Sequence, residues 1–226
     1  MIIYGKQVIY TLLKKHPHLL KTFYTAKELD KETLKLVRNT EVKITKVDPQ
    51  KAQALAKGGN HQGLLAEIDS PLISPPELSK LSHVLVLVGV TDMGNIGAII
   101  RSAYALGVEA IFICGSKQLN IEGAVRTSSG AIFDMPIALH PNLYDLAHEL
   151  SQSGFSTIGA TLNGKETLPN IEKSALFLGS EDLGLPNRLV SKLDLEMTIK
   201  MKHQFDSLNV SSAAAILIDR INHAIQ

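Results

Sequence analysis

Residues 84–90 read Val-Leu-Val-Leu-Val-Gly-Val, an apolar run with no polar residue at alternate positions. A strand exposed on one face alternates polar and apolar side chains; a strand covered on both faces does not. This run therefore predicts a central strand of a parallel sheet with helices on both sides. The next segments fit that frame. Residues 95–106 carry Ile96, Ile99, Ile100 and Ala103 on one helical face, and Gly107 stops the helix. Residues 108–114 read as a strand, and 142–153 as a helix with Leu143, Leu146, Ala147 and Leu150 inward. Strands follow at 157–162, 175–179 and 196–201. The last helix carries Val210, Ala214, Leu217, Ile221 and Ile225 at helical spacing, with Ser207 at its N-cap. Strands alternating with helices give an α/β fold with an open, mostly parallel sheet.

The sequence Ser70-Pro71-Leu72-Ile73-Ser74-Pro75-Pro76 interrupts the chain ahead of this pattern. Its prolines continue neither a helix nor a central strand, so 71–80 reads as a linker between a unit at 1–70 and one at 81–226. The front unit is also α/β: a helix at 6–14 with Val8, Ile9, Leu12 and Leu13, short strands at 21–25 and 42–47, a polar loop at 57–63 and a strand at 64–68. It holds twelve Lys/Arg against seven Asp/Glu, a balance of +5, while the remainder of the chain balances at −4. A basic front on a nearly neutral chain suits a polyanion such as nucleic acid, although lysines that merely solvate helix faces give the same count. Cys114, the one cysteine, sits in an apolar strand and reads as a buried small hydrophobe. The scattered histidines show no metal-ligand spacing. The N-terminus has no signal-like apolar stretch and no run is long enough to span a bilayer, so the cytoplasm is the expected compartment.

Three segments could carry chemistry, each at the carboxyl end of a strand, where open α/β sheets bind ligands. The first is Gly89-Val90-Thr91-Asp92-Met93-Gly94-Asn95-Ile96-Gly97 leading to Arg101. Its glycines, at 89, 94 and 97, do not form the dinucleotide fingerprint, which disfavours a Rossmann oxidoreductase. Asn95 also suits a helix cap. The second is Gly179-Ser180-Glu181-Asp182-Leu183-Gly184, where a glycine lets a ligand approach the backbone and Glu181 stands on the loop beyond the sheet. The third is Ile199-Lys200-Met201 followed by Ser207-Leu208-Asn209-Val210-Ser211. A helix start suits an anionic ligand, and an ordinary capped core helix suits the same residues.

Taken in order, Asp92-x-x-Asn95-x-Gly97-Ala98-x-x-Arg101, Gly179-x-Glu181-x-x-Gly184 and Ile199-x-Met201 with Ser207–Ser211 resemble the three motifs of the SpoU/TrmH branch of the SPOUT methyltransferases. These enzymes move a methyl group from S-adenosylmethionine to a ribose 2′-hydroxyl of RNA. The likeness covers residues 84–226. A weaker one covers the front unit: Tyr4-Gly5-Lys6 and His61-Gln62-Gly63 are similar to the ribosomal-protein-like substrate-binding domain of members that methylate large-subunit rRNA. One departure is Met93-Gly94, where many relatives have proline after the aspartate.

The resemblance implies a trefoil knot in the C-terminal unit and a cofactor held bent in its loops. Gly179, Ile199 and Leu208 would contact it, largely through backbone groups, beside Met201, Thr161 and Leu162. Arg101 matches the essential arginine. A guanidinium is a poor general base, so its implied role is to orient an RNA phosphate and stabilise the developing alkoxide. Asn95 and Glu181 would hold Arg101 and the ribose, and Ser207 and Asn209 would complete the pocket. Lys14, Lys15, Lys57, His61 and Gln62 are the RNA-binding candidates, with no metal. A homodimer is expected, with both subunits contributing to each site and the final helix at the interface. The leading substrate is a guanosine of 23S rRNA. A tRNA 2′-O-methyltransferase and a non-catalytic RNA-binding or ribosome-assembly protein are the alternatives.

Overall fold

The computed structural model describes residues 1–71, 74–116, 118–203 and 207–225. Leu72 and Ile73 of the expected linker lie outside them. The front unit contains β1 (Ile2–Tyr4), α1 (Lys6–Lys15), β2 (Leu20–Thr25), α2 (Lys31–Arg38), β3 (Ile44–Lys46), α3 (Pro49–Leu55) and β4 (Leu64–Ile68). Its four strands lie in the order β1-β4-β2-β3, with β2 and β3 parallel and the other pairs antiparallel. Val8, Ile9, Leu12 and Leu13 of α1 are buried as their spacing predicts. The helices α2 and α3 are not visible in the apolar pattern. Each begins on an aspartate cap: Asp30 accepts from Thr33 N at 2.7 Å, and Asp48 accepts from Lys51 N at 2.8 Å.

The second unit runs β5 (His83–Val88), α4 (Met93–Ala105), β6 (Ala110–Cys114), α5 (Ile121–Thr127), β7 (Ile137–His140), α6 (Leu143–Gln152), β8 (Ser156–Lys165), β9 (Ser174–Gly179), α7 (Asn187–Val190), β10 (Leu195–Met197) and α8 (Val210–Ala224). Its six strands, ordered β10-β8-β9-β5-β6-β7, are all parallel. The unbroken apolar run of β5 is explained by its two faces. Leu85 and Leu87 pack into one core cluster; Val84, Val86 and Val88 pack into another on the opposite face. Fully burying side chains of this size contributes about 1.5–3 kcal/mol each.

Strand order positions the site. From β5 the chain runs outward through β6 and β7, then returns so that β9 inserts on the other side of β5. The β5/β9 boundary is thus a topological switch point, the crevice where such sheets bind ligands. Val88 and Gly179 are register partners there, so the first two motifs leave the sheet side by side.

Several element boundaries differ from expectation. Helix α4 begins at Met93, not Asn95, because Asp92 is the cap and accepts from Asn95 N at 2.8 Å. Helix α8 begins at Val210 with Asn209, not Ser207, as its cap. Strand β10 ends at Met197, so Ile199 and Met201 lie beyond it. The apolar stripe of α8 (Val210, Ala214, Leu217, Ile218, Ile221) is buried within its own chain, where α8 packs on α4. That stripe is therefore not available to a partner subunit.

Cys114 is 2% exposed, and burial pushes its thiol up to about 11. At pH 8 only about one thiol in a thousand is then ionised. Ellman's reagent at pH 8 is expected to titrate no thiol in the folded protein and one per chain in guanidinium. Rapid labelling of the native protein would contradict this environment.

Candidate active site

The three motifs meet on the carboxylate of Glu181. Its Oε1 accepts from the backbone N–H of Val210 at 2.9 Å and from Asn209 Nδ2 at 2.8 Å, and Asn95 Nδ2 lies at 3.4 Å. Asn209 Nδ2 also donates to Asn95 Oδ1 at 2.8 Å. Asn95 comes from the first turn of α4, Glu181 from the loop after β9, and Asn209 from the cap of α8. The free N–H groups and positive dipole end of α8 thus face an anion, but that anion is the chain's own Glu181 rather than a ligand. Hydrogen bonds to a charged acceptor of this kind are worth about 1.5–3 kcal/mol each, and they fix the start of α8 against the β5/β9 switch point.

Beside this cluster lies a cavity of about 560 Å³. Gly179, Thr161, Leu162, Ile199, Met201 and Leu208 all line it, as do Ser207 and Glu181. Asn95, Asn209 and Arg101 are not among its lining residues. The walls add Glu196 and Thr198, which sequence reasoning did not single out. Glu196 Oε2 accepts from Thr161 Oγ1 at 2.8 Å, and Thr198 Oγ1 donates to Leu162 O at 3.3 Å. Both pairings join β8 to the segment around β10, and no spacing rule would have found them. At the rim, Leu162 and Leu183 are 77% and 88% exposed.

Gly179 is also required by packing of the backbone around it. The turn at Ser180–Gly184, closed by Gly184 N donating to Ser180 O at 2.9 Å, folds back over it. A Cβ at Gly179 would overlap the Gly184 carbonyl and stand 2.5 Å from the Leu185 nitrogen. The glycine is required by the backbone of the loop that carries Glu181.

Arg101 is not held by Asn95 and Glu181, contrary to expectation. Six helical residues separate it from Asn95, about 9 Å along the axis and two-thirds of a turn around it. It is exposed, and its Nη1 donates to Ser129 Oγ at 3.3 Å.

The basic candidates of the front unit already have partners within the chain. Lys14 pairs with Glu32 at 3.2 Å, Lys15 with Asp134 at 3.5 Å and Lys57 with Glu122 at 2.7 Å. The carboxylates of Asp134 and Glu122 hold the Lys15 and Lys57 ammonium groups above the usual lysine range. These last two pairs, with Arg126 donating to the Tyr4 hydroxyl, join the front unit to α5 and the turn after it. His61 and Gln62 shape their own loop. His61 Nδ1 accepts from Gly63 N at 3.0 Å, and Gln62 Oε1 accepts from Lys6 N at 2.9 Å. Gln62 thereby caps α1, whose N-cap position, Gly5, has no side chain to do so. The Tyr4-Gly5-Lys6 and His61-Gln62-Gly63 segments are thus neighbours in space.

Among the described residues, no helix is long and apolar enough to cross a membrane, and no group of three or more His, Cys, Asp or Glu side chains could hold a metal ion.

Comparison with known proteins places this arrangement. The model of the SpoU rRNA Methylase family matches residues 82–219, and that of RNA 2′-O ribose methyltransferase substrate binding matches residues 2–73. A Staphylococcus aureus protein assigned to the TrmH family of tRNA/rRNA methyltransferases is 31% identical over 83% of this chain and 80% of its own length. The 23S rRNA (guanosine-2′-O-)-methyltransferase RlmB of Neisseria meningitidis is 26% identical over 96% of this chain and 92% of its own. The crystal structure of an AdoMet-bound rRNA methyltransferase from Sinorhizobium meliloti shares the fold, with a TM-score of 0.78 at 23% identity over 98% of this chain and 87% of that one.

Proposed function

This chain belongs to the SpoU rRNA Methylase family, and we propose that, as an RNA 2′-O-ribose methyltransferase using S-adenosylmethionine, it acts on a guanosine of 23S rRNA. The observation that carries the catalytic reading is the meeting of Asn95, Glu181 and Asn209 at the switch point, beside a cavity lined by the residues expected to hold the cofactor.

The cavity fits that cofactor on two counts. Its volume lies in the ~300–1,000 Å³ range of small-molecule sites. Among the described residues Glu181, Asp182 and Glu196 line it and no Lys or Arg does, which suits a ligand bearing a sulfonium and an ammonium group. Gly179, Ile199 and Leu208 would hold the cofactor through backbone groups, with Thr161, Leu162 and Met201 as walls. When bound, S-adenosylmethionine supplies an activated methyl group. The chain's own residues align the ribose oxygen and stabilise it as its proton passes to the RNA phosphate or water, and alignment alone is worth several kcal/mol. Ser207, at the cavity, and the Asn95–Glu181–Asn209 cluster receive the ribose. Arg101 steadies the RNA phosphate and the developing alkoxide through its charged, planar fork.

Arg101 is exposed and apart from the polar cluster of its own chain, which supports a homodimer in which it serves the pocket of the second copy. The exposed rim residues Leu162 and Leu183 are suited to that contact. The front unit, residues 1–70, binds the RNA, and 71–80 joins it to the catalytic unit at 81–226. Exposed ion pairs such as Lys14–Glu32 are worth about 0–1 kcal/mol, so a phosphate can displace them. The trefoil knot belongs to the same reading. It is supported by the match of the SpoU family model to this unit. The cytoplasm is the compartment where such a substrate is met. The rRNA choice is supported by the 96% span of the 23S rRNA relative, and RNA binding by the front unit is supported by the match of a substrate-binding model to it.

Mapping 2′-O-methyl marks in total RNA from cells with and without this gene tests the proposal. One 23S rRNA guanosine is expected to lose its mark. Loss of a tRNA mark with rRNA unchanged would reassign the substrate. Calorimetry that detects no S-adenosylmethionine binding would overturn the catalytic reading.

A further inference from the structure

We infer that Ser129 is a positioning residue for Arg101, holding the guanidinium in place before RNA arrives; this rests on the role proposed for Arg101 above. The geometry begins with the turn that ends α5. Ser129 N donates to Arg126 O and Gly130 N to Val125 O, both at 3.1 Å, and the two residues have φ of +55° and +87°. A left-handed position just beyond a helix is filled by glycine without steric cost, whereas a residue with a Cβ is strained there. Of the three other non-glycine residues with positive φ among the described residues, Glu41, Lys57 and Gln62, the last two use their side chains in the contacts with Glu122 and Lys6 described above. Ser129 uses its own to accept from Arg101.

The neighbouring Ser128 accounts for the turn itself. It is 1% exposed, donates to Val125 O at 3.2 Å and accepts from Ile132 N at 3.4 Å. The Ser129 hydroxyl is not needed for that closure. The distance between α4 and α5 is also fixed independently. Gly97 has no room for a Cβ against Thr127 Oγ1, and that hydroxyl donates to Met93 O at 2.8 Å. On its far side α5 is tied to the front unit through Glu122 and Arg126. Ser129 is therefore a fixed post beside a long, exposed, rotamer-rich side chain. One hydroxyl contact restrains the guanidinium and leaves its other N–H donors for phosphate. Freedom removed before binding does not have to be lost in the transition state.

The test uses the full-length protein with Ser129→Gly, Ser129→Ala, Arg101→Ala and the Arg101→Ala/Ser129→Gly double variant. Initial rates of tritiated methyl transfer are measured on total RNA and crude ribosomal particles from cells lacking the gene. Both Ser129 variants are expected to lose about tenfold in rate. The melting temperature of Ser129→Gly should be unchanged or raised, since the strain is relieved, and S-adenosylmethionine affinity by calorimetry should be unchanged. The double variant should be no slower than Arg101→Ala. If Ser129→Gly is fully active while Arg101→Ala is inactive, the inference fails and the role of Arg101 stands. A rate loss that comes only with a lowered melting temperature, or that multiplies the Arg101→Ala loss, also overturns it. If Arg101→Ala is itself active, the role of Arg101 and the inference fall together.

Discussion

Gly179→Ala is expected to abolish S-adenosylmethionine binding and to lower the melting temperature by roughly 6–12 °C. The added methyl group would meet the Gly184 carbonyl and the Leu185 nitrogen, which are backbone atoms with no rotamer to retreat into. Overpacking costs about 1–3 kcal/mol even where side chains can adjust. Taking about 3 kcal/mol, and roughly 2–4 °C per kcal/mol for a chain of this size, gives the stated range. The relief available is to move the Ser180–Gly184 turn, and that turn carries Glu181. Displacing Glu181 releases Val210 N and Asn209 at the start of α8, so a local clash becomes the loss of one wall of the cavity. Gly107→Ala is the control. Gly107 has φ of +84°, but a Cβ there would meet nothing within 4 Å, so only backbone strain of roughly 1 kcal/mol applies. That variant should melt a few degrees lower and bind the cofactor normally. Calorimetry and thermal melts of the two proteins decide the matter; a Gly179→Ala protein with normal affinity would show that the turn can move without disturbing the pocket.

Arg101→Ala is expected to cut methyl transfer by about 10²–10³-fold, the scale on which removal of one charge-stabilising donor acts, while leaving cofactor affinity and melting temperature within error. Arg101 is exposed and its hydrogen bond to Ser129 is long, so stability does not depend on it. Arg101→Lys keeps the charge and loses the planar fork, so it should recover only a small part of the rate. The deficit should also persist as pH is raised, because the role proposed for Arg101 is charge stabilisation and not proton removal. Near-normal turnover by Arg101→Lys would exclude any role that depends on the fork, and recovery of Arg101→Ala at high pH would point instead to a missing base.

The parts of this fold that were legible share a physical property: they are written in neighbouring residues. The unbroken run of β5 announced two covered faces because each of its side chains enters a core cluster. The stripe of α1 was readable because four of its ten residues are buried. Helix α2 hid because only Thr33 and Val37 are buried, too narrow a stripe to register as a period. Helix α5, seven residues long and containing Gly123, offered even less. Caps were harder than elements. Ser207 and Asn95 are both good capping residues by type, but the chain turns into its helices at Asn209 and Asp92, and the neighbouring polar residues are left for other contacts.

The residue pattern by itself determined the α/β class, the parallel sheet and the placement of three motifs at strand ends. Each of these follows from hydrophobic period and from residue type at a strand or helix end, which are local free energies; the residues expected to wall the cavity came instead from the resemblance to a family. Only the tertiary structure decided that Glu181 is the anion at the start of α8, that Asn209 bridges it to Asn95, and that Arg101 turns away to Ser129. Those pairings join residues 28 to 114 positions apart. They exist because β9 inserts beside β5 and because six helical residues carry Arg101 around to another side of α4. Strand order and helical phase are properties of the assembled chain, and no window of neighbouring residues contains them.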